Sequence, residues 1–174
     1  RLLDLNAGEK EVHRGKARIY GTDLLAKHYF GKHEAWVSYT LSKTEEHFTY
    51  FENDGYLEAP QDQRHEIKGA LLLDIKPFYF TVNYVYGSGL AYRSSFQDEG
   101  GERYPYRRLD ASLIYRLRLD PVNLQTGITV LNLFNRENIK YSNLFEVPDG
   151  QFSSISIYAE AMPFTPTLFL NLSF

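Results

Sequence analysis

Thr165-Pro166-Thr167-Leu168-Phe169-Leu170-Asn171-Leu172-Ser173-Phe174 places Leu168, Leu170, Leu172 and Phe174 at every second position, which is the period of a β-strand with one apolar face. Working back from it, the same period recurs. Residues 33–43 set Ala35, Val37, Tyr39 and Leu41 against Glu34, Ser38, Thr40 and Ser42, with Trp36 the exception. Residues 64–75 set Ile67, Gly69, Leu71, Leu73 and Ile75 against Glu66, Lys68, Ala70, Leu72 and Asp74. In 78–86, Phe78, Phe80, Val82, Tyr84 and Tyr86 alternate with Tyr79, Thr81, Asn83 and Val85. In 109–119, Leu109, Ala111, Leu113, Tyr115, Leu117 and Leu119 alternate with Asp110, Ser112, Ile114, Arg116 and Arg118. Two weaker strands occupy 16–30 (Thr22, Leu24 and Ala26 against Asp23, Leu25 and Lys27) and 123–134 (Leu124, Ile128 and Val130 against Gln125, Gly127 and Thr129). Helical i, i+3, i+4 stripes are absent from this reading, so the fold class is all-β.

Seven strands imply six connections, and these sort by length. Gly31-Lys32, Lys76-Pro77 and Asp120-Pro121-Val122 are tight turns built from residues suited to a sharp backbone. The other three connections run to about 17, 14 and 25 residues and alternate strictly with the turns. An antiparallel up-and-down transmembrane barrel predicts this asymmetry, with short periplasmic turns and long extracellular loops, and Phe174 then falls at the periplasmic rim. A soluble sandwich also alternates. Its strands usually have about 5–6 residues, however, and its loops have no reason to sort by end.

Composition narrows the function classes. The chain has 174 residues, 43 % of them hydrophobic, enough for a real core. A net charge of -3 argues against a nucleic-acid partner, which requires a basic face. Cysteine is absent, which excludes disulfides and thiolate metal sites. Fourteen Tyr and twelve Phe against one Trp suit the aromatic girdles of a membrane barrel. No apolar run approaches the ~20 residues of a membrane helix, and polar residues interrupt 1–6 too early for a signal peptide. Seven is an odd count with two open edges, whereas bacterial single-chain barrels have even strand numbers. The expectation is therefore that residues 1–174 are the C-terminal segment of a larger barrel.

Several stretches carry a family resemblance. Arg14-Gly15-Lys16-Ala17-Arg18 leading to Gly21-Thr22-Asp23-Leu24-Leu25, then Ala35-Trp36-Val37-Ser38-Tyr39-Thr40-Leu41-Ser42-Lys43-Thr44, resembles the late barrel strands of TonB-dependent outer-membrane receptors of the Bacteroidetes type. The resemblance continues through Gln61-Asp62-Gln63-Arg64-His65-Glu66, Tyr86-Gly87-Ser88-Gly89, Tyr106-Arg107-Arg108-Leu109-Asp110 and Asn132-Leu133-Phe134-Asn135-Arg136-Glu137-Asn138. It implies about the last seven strands of a barrel of roughly 22 around a plug, with the plug and about fifteen strands lying outside this chain. It also implies a multi-pass protein of the bacterial outer membrane that takes up a scarce nutrient such as a siderophore, cofactor or oligosaccharide. The implied partners are outer-membrane lipid, the remaining barrel and plug, TonB acting through that plug, and the barrel-assembly machinery, which would read Leu168, Leu170, Leu172 and Phe174. A surface lipoprotein is a further candidate partner, although the ending fits the general receptors better than the starch-utilisation branch. Arg-His-Glu stands where the family usually has Arg-His-Asp. The other readings are a small outer-membrane adhesion barrel and a soluble carbohydrate-binding sandwich.

Catalysis is not expected. Arg64-His65-Glu66 is the one compact cluster of acid, base and imidazole, but in a strand His65 points away from its neighbours. His13, His28, His33, His47 and His65 lack metal-ligand spacing, so no metal and no cofactor is expected. Gly87-Ser88-Gly89 has no following helix and reads as a strand end, not a phosphate cradle. The best ligand candidates are Tyr92, Arg93, Tyr104, Tyr106, Arg107 and Arg108, whose rings and guanidinium groups could stack on and hydrogen-bond to a polar ligand. Aromatic and arginine anchoring at a lipid interface is the competing reading of the same residues.

Overall fold

A computed structural model describes residues 2–4, 11–13, 15–48, 55–92, 102–146 and 154–174. β1 (Leu2–Asp4) and β2 (Glu11–His13) form a small hairpin. β3 (Gly15–Phe30), β4 (His33–Phe48), β5 (Leu57–Glu58), β6 (His65–Ile75) and β7 (Phe78–Gly87) follow. The short β8 (Ala91–Tyr92) and β9 (Glu102–Arg103) precede β10 (Tyr106–Leu119) and β11 (Val122–Leu131). A hairpin of β12 (Ile139–Glu146) and β13 (Ser154–Glu160) leads to β14 (Thr165–Ser173). Helix is absent among the described residues, so no helix is long and apolar enough to cross a membrane.

The main sheet is antiparallel with the order β14-β11-β10-β7-β6-β4-β3, and β5 pairs with β4 as its eighth strand. All seven predicted strands are present in up-and-down sequence. The sheet is open, because β3 and β14 each pair on one side only. Strand ends differ from expectation. β4 runs on to Phe48 because residues 42–48 keep pairing with β3, although the apolar alternation stops at Leu41. β10 begins at Tyr106 because residues 106–108 continue the ladder with β7, and β11 stops at Leu131 because Asn132 turns at φ 51. Ahead of the predicted strand 16–30, the chain also contributes β1, β2 and Gly15 at the start of β3.

Register determines the faces. Ala35 pairs with Leu71, Leu71 with Val82, Val82 with Ala111, Ala111 with Val130, and Val130 with Pro166. Paired residues share a face, so the apolar sets of β4, β6, β7, β10, β11 and β14 lie on one side of the sheet, whereas β3 turns Leu24 and Ala26 to that side and Ile19, Leu25 and Tyr29 to the other. The opposite side carries Asp23, Ser38, Thr40, Lys68, Asn83, Ser112, Arg116, Gln125 and Asn171, together with Trp36. Little covers the apolar side among the described residues: Ala59 is the one buried hydrophobic side chain among them, while Leu168 is 78 % and Phe174 97 % exposed.

The short turns occupy one end of the sheet. Gly31 takes φ 65, a conformation that suits glycine, while the turns at Lys76-Pro77 and Asp120-Pro121 contain cis peptide bonds. The hairpins are staggered. Glu34 pairs with Leu72, so the β6–β7 turn reaches about two residues beyond the β3–β4 turn. Tyr115 pairs with Phe78, so the β10–β11 turn reaches about four residues further still. A consistent stagger of this kind is the register shift that tilted strands require.

Candidate functional site

The long connections meet at the other end of the sheet, and two polar networks hold them there. The first centres on Asp62, which is fully buried. Residues 55–62 fold back onto the end of β4: Thr44 N donates to Asp62 Oδ1 at 2.5 Å, Ala59 N to Thr44 O at 2.9 Å, and Asp62 N to Ala59 O at 2.9 Å. Arg103, from the next long connection, donates to Asp62 O at 3.2 Å and to Gly89 O at 3.1 Å, and pairs with Glu58. Arg64 reaches the same carboxylates, 3.3 Å from Glu58 and 3.6 Å from Asp62. Burial pushes the Glu58 carboxyl up, but hydrogen bonding led by the Arg103 guanidinium overrides it and leaves Glu58 below the usual carboxylate range.

The second network organises residues 132–138. Asn132 is buried; its amide Nδ2 donates to Arg136 O at 2.9 Å and Met162 O at 2.7 Å, while its Oδ1 accepts from Arg136 N at 3.0 Å. Its backbone N donates to Asp110 Oδ1 at 2.9 Å. Asn138 acts as a strand residue would. Its Oδ1 accepts from Arg107 N at 2.7 Å and its Nδ2 donates to Arg107 O at 2.9 Å, satisfying the backbone of β10 where β11 has already ended. Asn132 and Asn135 have positive φ, 51° and 47°, a region that asparagine tolerates better than most residues.

Among the described ligand candidates, Arg107 stands apart from Tyr106 and Arg108. Tyr106 and Arg108 lie on the polar face, where Arg108 is held by Asp110 at 2.9 Å and donates to the Tyr106 hydroxyl at 3.2 Å. Arg107 lies on the opposite, apolar face, its guanidinium 5.7 Å from the centre of the Tyr86 ring. Tyr104 backs onto Gly89, whose φ of 89° and lack of a Cβ allow that close approach. Tyr92 pairs through its backbone with Glu102, and Arg93 lies outside the described residues. Leu168, Leu170, Leu172 and Phe174 stand on the apolar face of the edge strand β14 and its end, as the alternation predicts.

Arg64, His65 and Glu66 separate as their strand geometry predicts. His65 Nδ1 is 2.9 Å from the Tyr39 hydroxyl and the two rings stack, Arg64 joins the Asp62 network, and Glu66 pairs with Lys68 at 2.6 Å. Among the other histidines, His33 Nδ1 accepts from Asp74 N at 3.0 Å, His28 stacks with Phe30, and His47 packs against Tyr56. The His13 side chain lies outside the described residues. Three or more His, Asp or Glu side chains do not gather into a metal-binding group among the described residues. The buried polar residues Asp62, Asp110, Asn132 and Asn138 were not singled out from sequence as site residues, and their immediate sequence neighbours share no common pattern that would have marked them. No family model, no curated protein and no solved structure matches this chain.

Proposed function

We propose that this chain is part of the wall of an outer-membrane β-barrel of the TonB-dependent receptor kind, serving uptake of a scarce nutrient such as a siderophore, cofactor or oligosaccharide. The observation that carries the membrane part is the alignment of six apolar strand faces, those of β4, β6, β7, β10, β11 and β14, on one largely exposed side of the sheet. In water such a face is strongly unfavourable, and in a bilayer it is the lipid surface. From Leu109 to Leu119 the apolar row of β10 spans about 33 Å along the strand, or about 25 Å in height at the tilt of such barrels, close to the apolar band they present. The polar face would then line the lumen. Further strands would close the sheet between β3 and β14, because unpaired edges are untenable in hydrocarbon.

The receptor part rests on the motif resemblance, above all Trp36-Val37-Ser38-Tyr39-Thr40-Leu41-Ser42. In this reading no bond is made or broken, and the working energy arrives through TonB acting on a plug. Membrane fractionation tests the reading. Recovery in the outer-membrane fraction, resistant to alkaline wash, is expected, while release into the soluble fraction as a detergent-free monomer would sink it in favour of a soluble sandwich.

A further inference from the structure

On the apolar side of the sheet, the hydrophobic rows give way to charge at the long-connection end of β3 and β4. Lys16 pairs with His47, Arg18 with Glu45 and Tyr20 with Lys43, in the same register that places Leu24 beside Tyr39 and Ala26 beside Val37. All of these residues therefore share the apolar side. Two cations hold one carboxylate: Glu45, itself buried, lies 2.6 Å from Arg18 Nε and 2.6 Å from Lys43 Nζ, while Lys16, opposite His47 on the same side, has no acidic partner among the described residues. Arg18 also rests over the Tyr56 ring, 4.2 Å from its centre. The bond to Glu45 uses its Nε, and its two Nη groups make no hydrogen bond among the described residues.

β3 and β4 each have 16 residues, whereas about 9–11 suffice to cross a bilayer. Their ends therefore stand at headgroup depth and beyond. We propose that Lys16, Arg18 and Lys43 bind the phosphate of an anionic lipid headgroup in the leaflet on the long-connection side, an inference that rests on the membrane reading above. The Nη edge of Arg18 offers the planar fork that matches phosphate, and the two lysines add point charges. Tyr20 and Tyr56 supply the aromatic contact of an interface, and the acyl chains run down over Leu24, Ala26, Val37 and Leu41. That apolar continuation distinguishes a lipid from free phosphate as the occupant.

Native mass spectrometry of the complete barrel that contains this chain, extracted in neutral detergent, tests the proposal, with phosphatidic acid, phosphatidylcholine and inorganic phosphate as probes. Phosphatidic acid should be retained in preference to the other two. The triple change Lys16→Gln, Arg18→Gln and Lys43→Gln should weaken that retention on the order of 100-fold, and Lys16→Gln alone, which leaves both ion pairs intact, roughly fivefold. Arg116→Gln, on the polar face near the short turns, should leave it unchanged. Equal retention of the two lipids, or no loss in Lys16→Gln, overturns the headgroup site while the need for detergent upholds the membrane reading. Inorganic phosphate bound as tightly as phosphatidic acid overturns the lipid as occupant. A chain that stays dispersed without detergent and retains neither lipid overturns the membrane reading and the site with it.

Discussion

Glu45 on β4 and Glu58 on β5 are directly opposed cross-strand partners, a placement of two carboxylates that ordinarily destabilises a sheet. Each is neutralised from its far side. Arg18 and Lys43 hold Glu45, while Arg64 and Arg103 hold Glu58. The result is a row of alternating charge that ties the connection before β6 both to β4 and to the connection before β10.

Arg103 is the member of this row whose loss should be felt most. It bridges Glu58 and the fully buried Asp62, so Arg103→Gln leaves a buried carboxylate short of a cation. Breaking a buried pair costs about 3–5 kcal/mol, and the partial exposure of Glu58 screens some of that, leaving about 2 kcal/mol. Hydrogen exchange at the amides of Ala59 and Asp62, both bonded within this fold-back, should speed up about 30-fold. Lys68→Gln, which removes only the exposed pair with Glu66, should change those rates little, and equal effects would refute the assigned role.

Acid should loosen the same connection, but late. Because the folded Glu58 carboxyl lies below its ordinary range, its contribution is fully present above the unfolded pKa and disappears as pH falls through the folded one. Exchange at Ala59 should therefore stay flat as pH is lowered from neutrality into the ordinary carboxylate range, once intrinsic rates are corrected for. It should rise only below that range. In Glu58→Gln the rise attributable to this group should vanish, and an unchanged profile would contradict the assignment.

Asn132 offers a test of the turn that follows β11. Asn132→Ala removes a side chain that satisfies two carbonyls and one backbone N–H in a buried setting, and it places alanine at φ 51. A loss of about 2–3 kcal/mol is expected from the unmet groups. Asn132→Gly relieves the backbone but not the hydrogen bonds, so it should recover only part of the loss. Full recovery in the glycine variant, measured by proteolytic protection near Arg136, would assign the whole effect to backbone conformation instead.

The strands were legible in the sequence because a face-by-face alternation is a local property, and each pair of strands joined by a tight turn needs only neighbouring residues to specify it. The strand extensions were not. Glu45, Glu46 and His47 carry no apolar alternation and stay in β4 because β3 pairs with them. The short strands β5, β8 and β9 have two residues each, too few to show a period. The polar networks depend on distant partners: Asp62 and Arg103 are 41 residues apart, as are His33 and Asp74. The candidate ligand residues illustrate the same limit, since Arg107 and Arg108 are adjacent in sequence and point to opposite faces.

Adjacent residues on opposite faces also give the sharpest test of the membrane reading. Leu113 pairs with Phe80 and Ile128 in the middle of the apolar side, whereas Ile114 pairs with Tyr79 and Gly127 on the polar side. In a bilayer, Leu113→Arg near the midplane should cost roughly 2–4 kcal/mol, while Ile114→Arg on the lumen side, beside Arg116, should cost much less. Urea titration in vesicles of neutral lipid measures the difference as a shift in midpoint at constant slope. A soluble sandwich that packed its apolar face against a second layer would also penalise Leu113→Arg, but there Leu113→Ser should be almost as damaging. Lipid should tolerate serine far better than arginine at that depth, so comparable losses for the two Leu113 variants would refute the bilayer as the solvent of this face.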